Sequence, residues 1–488
     1  MNKRSTASPL YLIVILGIAL VARLIALQQS FWLDEAAQAI ISQNPFEPGH
    51  FNGDFQPPLS YILSHVWMQF GAGLGTQAEW FLRIPSVMWA VVTVWALYRL
   101  ILSLFNTKAA QLSALLLAIA PFHIYYSQEF RMYSMFTALT VLSWLCLREK
   151  RYWWMALING CAIFTHYFAF VTIISQGIYL IAFHRAPLKK VVQNHLISLS
   201  PFILWIPTLL QQIHTSSQLI AAWPKWESVS NVGFLRFPGL TLAKFTVGMI
   251  SPEPRMLYAG AVGIFAIILG SSCLYLLWTA YKDTQARPAL GMLAAMSMLP
   301  LIMVWIAGLW IAAASPWRIQ FALPALYALV AVAYVSASKH LQKGPMAIVT
   351  TIFIYLCLQN SYFSYQYLAN TQNHREDWRS AIAYTDTFAK DGALILSEYS
   401  SPFAPMQWYT HYPYSYTGGS TDMAFSPSSV KEKIGLLLAA HPTIIVYSYL
   451  FEISDPEKVL ENTLLTYGYS VKEEKDFRGV GIVRTYER

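Results

Sequence analysis

The chain has 488 residues, of which 56% are hydrophobic and only 12% charged. A water-soluble protein carries about 25% charged residues, so a wholly soluble fold is excluded and much of this surface faces lipid. The net charge of +8 does not indicate nucleic acid, because the basic residues are scattered in short clusters between apolar runs.

The first apolar run, near 9–28, follows Lys3 and Arg4 and has no small-residue cleavage site after Ala26. It therefore reads as a retained first helix rather than a signal peptide. Beyond it lies a long polar loop, roughly 29–79, that contains Asp34-Glu35 and Asp54-Phe-Gln-Pro-Pro-Leu-Ser-Tyr61. Its apolar stretch Pro57–Gly71 is too short and interrupted for a comfortable span, and fits an interfacial helix lying along the membrane. Spanning helices need about 20 mostly apolar residues. Further runs of that kind lie near 80–102, 109–127, 132–148, 152–168, 169–184, 196–213, 256–281, 289–311, 319–337 and 346–366, which makes about eleven spans in all. A second long loop, 214–255, carries Trp223 and Trp226. The four cysteines, Cys146, Cys161, Cys273 and Cys357, all lie inside apolar runs, with neither a zinc spacing nor a disulfide framework.

Lys and Arg mark the cytoplasmic side of a membrane protein. With the N-terminus in the cytoplasm, alternate loops hold Lys3 and Arg4; Arg99 and Lys108; Arg148, Lys150 and Arg151; Arg185, Lys189 and Lys190; Lys282 and Arg287; Lys339 and Lys343, against the acids Glu149 and Asp283 alone. The opposite loops hold Asp34, Glu35, Glu47, Asp54, Glu79, Glu129, Glu227 and Glu253. This separation places the C-terminus outside.

From about residue 367 the composition becomes that of a soluble domain. Glu376–Phe388, Ser428–Ala440 (capped by Ser428 or Ser429) and Asp455–Tyr467 (capped by its Asp) read as helices. Ala393–Glu398, Thr443–Tyr449 and Gly479–Thr485 read as strands. The expected architecture is an α-helical polytopic membrane domain, 1–366, followed by a small extracytoplasmic α/β domain, 367–488. No glycine-rich phosphate loop is present, which argues against nucleotide binding there.

Several residue groups could carry chemistry. Asp34-Glu35 fits the dipole-favoured first turn of a short helix capped by Ser30; equally, an acid beside Phe31, Trp32 and the membrane gains proton affinity and suits general-base work. Asp54 suits a turn or cap before the Pro-Pro helix start. Gln128, Glu129, Arg131 and Tyr133 are wedged between two apolar runs, where polar groups face a cavity, pair with each other or serve function. His166 sits in an aromatic setting that suits a structural ring as well as a functional one. Arg318 lies on the side that positive-inside statistics disfavour, where a snorkelling anchor is the plain alternative. Arg83 follows Glu79 at helical spacing, which allows a simple ion pair. All these groups fall at one predicted level, the outer boundary of the membrane. A proton or ion pathway would instead scatter charges through the mid-helix segments.

The motifs Asp34-Glu35, Asp54-x-x-Pro-Pro-Leu-Ser-Tyr61, Leu82-Arg-Ile-Pro-Ser86, Tyr126-Ser-Gln-Glu-Phe-Arg-Met-Tyr133, Thr165-His-Tyr-Phe168 and Arg318-x-x-Phe-Ala-Leu-Pro324 occur in that order. Together they resemble bacterial glycosyltransferases of family 39 and their relatives, among them the protein O-mannosyltransferases and the lipid A aminoarabinose transferases, with the GT-C membrane fold. The resemblance covers roughly 9–335, and Glu376-Asp-Trp-Arg379 is similar to a segment after the last helix of such proteins. It implies a polyprenyl-phosphate-linked sugar donor, an extracytoplasmic glycan, lipid or protein acceptor, and a place in the bacterial inner membrane. By the same resemblance Asp34, with Glu35, is catalytic, Asp34 being the general base of an inverting transfer. Asp54, Arg83, Gln128, Glu129, Arg131, Tyr133, His166 and Arg318 are then substrate-binding candidates, with Arg131 and Arg318 on the donor phosphate. A divalent metal ion is a possible cofactor, held by Asp54, Glu129 and His166, although Gln56 replaces the acid or His that many relatives carry before the Pro-Pro pair. A transporter or flippase of lipid-linked sugars is the alternative, which should line a central cavity with charge and lack a large outer domain. A scaffold that binds cell-wall material is a third reading, opposed only by the clustered acids.

Overall fold

The computed structural model describes residues 9–47, 49, 51, 54–184, 188–223, 225, 231–251, 253–311 and 314–488. Lys3, Arg4, Arg185, Trp226 and Glu227 lie outside the described residues.

Helix occupies every apolar run. The first is α1 (Pro9–Leu24), four residues shorter at its end than its hydropathy suggests, because a turn with Ala26 at φ 62° stops it. On the first loop follow α2 (Leu33–Gln43), α3 (Leu59–Gly73) and α4 (Glu79–Leu82). The bundle continues with α5 (Ile84–Leu104), α6 (Thr107–Ala118), α7 (Pro121–Ser127), α8 (Tyr133–Arg148), α9 (Tyr152–Ile163), α10 (Ala169–His184), α11 (Leu188–Leu199) and α12 (Ile206–Ala222). It is completed by α13 (Phe237–Val247), α14 (Arg255–Lys282), α15 (Arg287–Ala307), α16 (Leu323–Ala337) and α17 (Lys343–Ala369). Among the described residues, 6 helical stretches are long and apolar enough to cross a membrane, or 7 if α6 and α7, bent by 61° at Ile119–Ala120, form one broken span. The helix α3 stands where an interfacial helix was expected. Leu63, Val66 and Phe70 form an exposed apolar stripe along it, while Tyr61 and Met68 are buried, the asymmetry of a helix half-sunk in lipid. The interior helix is α16, whose small and branched side chains are buried along nearly its whole length.

The basic loops meet at one end of the bundle. Arg99 and Arg151 both reach Glu149, and Arg148 donates to the Ser103 carbonyl. Arg83 caps the other end of α5, about 24 Å away at 1.5 Å per residue. The two charge levels expected from sequence are therefore separated by a membrane-sized stretch of helix.

The last span runs to Ala369, a little beyond the expected change of composition at 367. The C-terminal domain carries α18 (Trp378–Lys390), β1 (Leu394–Ser397), α19 (Ala404–Tyr409), β2 (Tyr416–Gly418), α20 (Pro427–Ala440), β3 (Thr443–Tyr447), α21 (Phe451–Ser454), α22 (Val459–Thr466), β4 (Ser470–Phe477) and β5 (Gly481–Glu487). The sheet order is β2-β1-β3-β5-β4, with β1 parallel to β2 and β3, and β5 antiparallel to β3 and β4. Ile395 and Ile445 turn to one face, against Trp378 and Ile382 of α18, while Leu394, Leu396, Ile444 and Val446 turn to the other, against Val430, Ile434 and Leu464. This is the α/β layering the sequence implied, with local corrections. Ser426, not Ser428 or Ser429, caps α20, because Pro427 takes the first helical position and Ser429 returns the bond as its capping-box partner. The segment expected as one helix from Asp455 is broken at Lys458 in the left-handed region, although Asp455 still accepts the amides of Val459 and Leu460.

Candidate active site

Two interlocked helix ends build the floor. Arg23, fully buried on α1, donates to the carbonyls of Leu117 (3.2 Å) and Ala118 (2.8 Å), the free C-terminal end of α6, and to His123 Nδ1 (2.6 Å). Arginine is always a donor, so His123 Nδ1 accepts. In return, Gln128 Nε2 donates to the carbonyls of Arg23 (3.1 Å) and Ile25 at the end of α1. Each element thus caps the other's orphan carbonyls. Gln128, a substrate-binding candidate by sequence, is a buried tie, and its position fixes the loop Glu129–Met132 that follows.

The second tie joins Glu35 and Arg83. Arg83 grips both Glu35 oxygens (Nε–Oε1 2.8 Å, Nη2–Oε2 2.6 Å) and donates to the carbonyls of Leu27 (2.7 Å), Gln29 (2.6 Å) and Ser30 (3.2 Å). The Phe130 amide donates to Glu35 Oε1 at 2.6 Å. Burial pushes the Glu35 carboxyl up, but the charge and hydrogen bonds of Arg83, with Arg375 and the Phe130 amide, outweigh it and hold the group below its ordinary value. Both side chains are shut away from solvent and saturated with protein partners. Glu35 and Arg83 are thus bound to each other, and together they fold the first loop back on α5.

Asp34 has the opposite environment. Its side chain is 40% exposed, and its carboxylate lies 3.4 Å from Arg131 Nη2, while Arg131 Nη1 donates to the Asp34 carbonyl at 3.2 Å. The two neighbours in sequence separate by helix geometry: successive residues on α2 point 100° apart, one into the Arg83 clamp, one outward. Around Asp34 and Arg131 gather Tyr133, whose charge environment includes both of them and Arg318, and Asp54 and Tyr61, coupled to Arg131. Asp54 accepts from the Tyr61 hydroxyl and from the Gln56 amide (3.2 Å); burial pushes its carboxyl up, against these bonds and Arg131. His166 is stacked on Phe136 (4.9 Å, 15°), takes the Phe168 amide on Nδ1 at 3.1 Å, and feels both Arg318 and Arg131. The fold brings Asp34, Asp54, Arg131, Tyr133, His166 and Arg318 within electrostatic reach of one another.

The metal candidates do not assemble. Among the described residues no three His, Cys, Asp or Glu side chains converge on a point. Asp54 is tied to Tyr61, and His166 has one nitrogen engaged by Phe168. Glu129 Oε1 accepts from the indole of Trp32 (3.0 Å) and lies 3.6 Å from Arg375, while its Oε2 is buried without a hydrogen-bond partner. The residues present therefore do not fit a metal held by Asp54, Glu129 and His166.

Arg375 and Glu376 were missed as site residues. Arg375 is buried against Glu129, donates to the hydroxyl (3.1 Å) and carbonyl (3.0 Å) of Tyr125, and lies 4.0 Å over its ring. Glu376 accepts from the Leu33 amide (3.3 Å), Trp378 Nε1 (2.6 Å) and the Tyr449 hydroxyl (2.9 Å). Burial dominates at both carboxyls, pushing Glu129 and Glu376 up to about 7. The C-terminal domain therefore holds the loop that carries Asp34. The Glu376-Asp-Trp-Arg379 motif was the available signal; an arginine one residue ahead of it had none.

Residues 57–210 match the family model of dolichyl-phosphate-mannose-protein mannosyltransferases. No curated protein matches the chain by sequence. In three dimensions it is similar to ArnT from Cupriavidus metallidurans bound to undecaprenyl phosphate, with a TM-score of 0.57, 14% identity and 98% of each chain covered. It is also similar to the oligosaccharyltransferase of Archaeoglobus fulgidus in complex with zinc and sulfate, with a TM-score of 0.54, 12% identity, 90% of this chain covered and 68% of that one. The chain has the GT-C membrane glycosyltransferase fold. In this GT-C fold the similarity to ArnT runs end to end, so it takes in the C-terminal domain as well as the bundle. The chain is a multi-pass membrane protein, and its acids and arginines collect at one end of the GT-C helices.

Proposed function

We propose that the protein moves a sugar from a polyprenyl-phosphate donor to an acceptor hydroxyl on the extracytoplasmic side of a bacterial inner membrane. The reading rests on one observation above the rest: of the acids gathered here, Asp34 keeps a solvent-open carboxylate beside an arginine, while Glu35 and Glu129 are buried and Glu376, half-buried, is held by three hydrogen bonds. Asp34 takes the proton of the acceptor hydroxyl, whose oxygen bonds to the anomeric carbon as the carbon–oxygen bond to phosphate breaks. The electron pair of that bond leaves on the lipid phosphate, and displacement from the opposite face inverts the anomeric centre. Arg318 meets the charge that grows on the leaving phosphate. Arg131, already paired with Asp34, orients the base, with a secondary role at the phosphate. Tyr133, His166 and Asp54 complete the wall. Bound undecaprenyl phosphate in the similar ArnT structure supports a lipid-phosphate donor, and the basic cluster at the other end of the bundle supports a cytoplasmic N-terminus, with residues 367–488 forming the outer domain.

The test is transfer by the purified protein from a polyprenyl-phosphate sugar to a hydroxyl acceptor, with the product anomer read by NMR. Inverted product supports the reading. Retained configuration contradicts the single displacement with Asp34 as base, and transbilayer movement of the donor without transfer contradicts the whole reading and favours a flippase.

A further inference from the structure

Outside the Asp34 cluster a cavity of about 300 Å³ opens between α2, α3 and α19, lined by Ser42, Gln43, His65, Met68, Gln69, Gln77 and Trp408. Its chemistry differs from the site's: amides, one imidazole, one hydroxyl and one indole, with no carboxylate and no lysine or arginine among the lining residues. Nothing in it balances a phosphate or an ionised peptide. Its hydrogen-bonding directions are largely set. The His65 Nδ1 lies 2.8 Å from the Ser42 carbonyl, so in the neutral ring Nδ1 donates and Nε2 accepts. Gln77 spends its amide nitrogen on the Met68 carbonyl at 3.0 Å, which turns its oxygen into the available acceptor. The Ser42 side chain is fully buried and its hydroxyl has no hydrogen-bond partner, a state that costs about 1–3 kcal/mol unless a ligand or water satisfies it. Trp408 is half-buried, packed against Phe31 with ring centroids 5.8 Å apart. Phe46, 71% exposed, stands edge-on to His65 at 6.0 Å, adding an aromatic surface beside the imidazole.

Fixed acceptors, rotatable amide donors, an aromatic face and no net charge suit a ring that carries several hydroxyls, each both donor and acceptor. The volume lies at the lower end of ligand pockets, about 300–1,000 Å³, enough for one sugar ring. We infer that this cavity binds an uncharged sugar residue of the acceptor, so that the acceptor is a neutral glycan or glycoconjugate. The inference deepens the function proposed above and rests on it for the word acceptor. Ser42 stands two turns along α2 from Asp34, about 12 Å by helical rise, and the rings of Phe130 and Phe31, stacked, and of Trp408, tilted against Phe31, connect the two places. A glycan anchored by one residue in the cavity has another within reach of the base.

The experiment is calorimetric titration of the full-length protein in lipid nanodiscs with a panel of neutral methyl glycosides and disaccharides, alongside an acidic sugar and an uncharged tripeptide. It is run on wild type, Asp34→Asn, Gln43→Ala, Gln69→Ala and Trp408→Leu. Gln43 and Gln69 are exposed surface residues, so their variants fold even where Trp408→Leu does not. Millimolar binding of at least one neutral saccharide is expected, unchanged in Asp34→Asn and weakened about tenfold in Gln43→Ala or Gln69→Ala, the worth of one neutral hydrogen bond. Absence of binding by every neutral saccharide, preference for the acidic sugar or the tripeptide, or binding indifferent to all three cavity variants overturns the inference. Saccharide binding without transfer from any lipid-phosphate donor leaves the cavity assignment standing and removes the function proposed above.

Discussion

Replacing Arg375 with alanine should uncouple the C-terminal domain from the loop that carries Asp34. The guanidinium is 2% exposed and its partner Glu129 is not exposed at all, with 3.6 Å between them. Removing one member of such a buried pair costs about 3–5 kcal/mol. The two lost bonds to Tyr125 add about 1 kcal/mol each. Glu129 limits the damage, because a carboxyl already pushed up to about 7 takes a proton rather than remaining a bare buried charge. The net expectation is about 4 kcal/mol. If the ion pair carries it, Glu129→Gln in the Arg375→Ala background should restore about 2 kcal/mol, since no charge is then left behind. The assay is a double-mutant cycle on thermal unfolding in nanodiscs, read together with protease sensitivity of residues 370–488. A coupling below about 0.5 kcal/mol, the ordinary limit of additivity between independent sites, would mean that the ion pair carries no weight and that Arg375 is a packing residue.

Arg83→Ala should lower the yield of folded protein and cost about 3–5 kcal/mol by stranding Glu35. Glu35→Gln should be milder in stability, and normal stability with complete loss of transfer would return Glu35 to the catalytic set. Glu376 gives a pH prediction. Its folded value, about 7, lies above the ordinary 4.5 because burial disfavours the charged form, so its contribution is fully present below about 4.5 and is lost as pH rises towards 7. The melting temperature of wild type relative to Glu376→Gln should therefore fall across that window, and a rising difference contradicts the assignment. Arg318→Ala should weaken binding of undecaprenyl phosphate by about tenfold or more, as expected for hydrogen bonds to a charged group; unchanged affinity in a titration removes Arg318 from the donor site.

The bundle was legible because lipid demands long apolar runs and leaves basic residues on one side, both local properties of the chain. The level of the site was legible for the same reason, since Asp34, Arg131, His166 and Arg318 all interrupt apolar sequence at helix ends. The division of labour was not. Asp34 and Glu35 are adjacent in sequence, and only the fold, by bringing Arg83 from 48 residues away, shows which one is buried in a clamp. Arg375 was invisible because its partner, Glu129, lies on the other side of nearly the whole bundle in sequence. In the outer domain β4 escaped notice because Ser470–Phe477 is exposed at all but its last residue. An edge strand held by backbone pairing to β5 alone has no burial pattern to display. The serine cap of α20 was misplaced because three serines compete there, and Pro427 decides among them.

The central claim is that Asp34 removes the acceptor's proton. Its most direct test is single-turnover transfer by purified Asp34→Asn protein, with donor binding measured on the same preparation. The account predicts transfer reduced by at least about a hundredfold, the scale of general-base catalysis, with donor affinity within about twofold of wild type. Wild-type turnover by Asp34→Asn would contradict it.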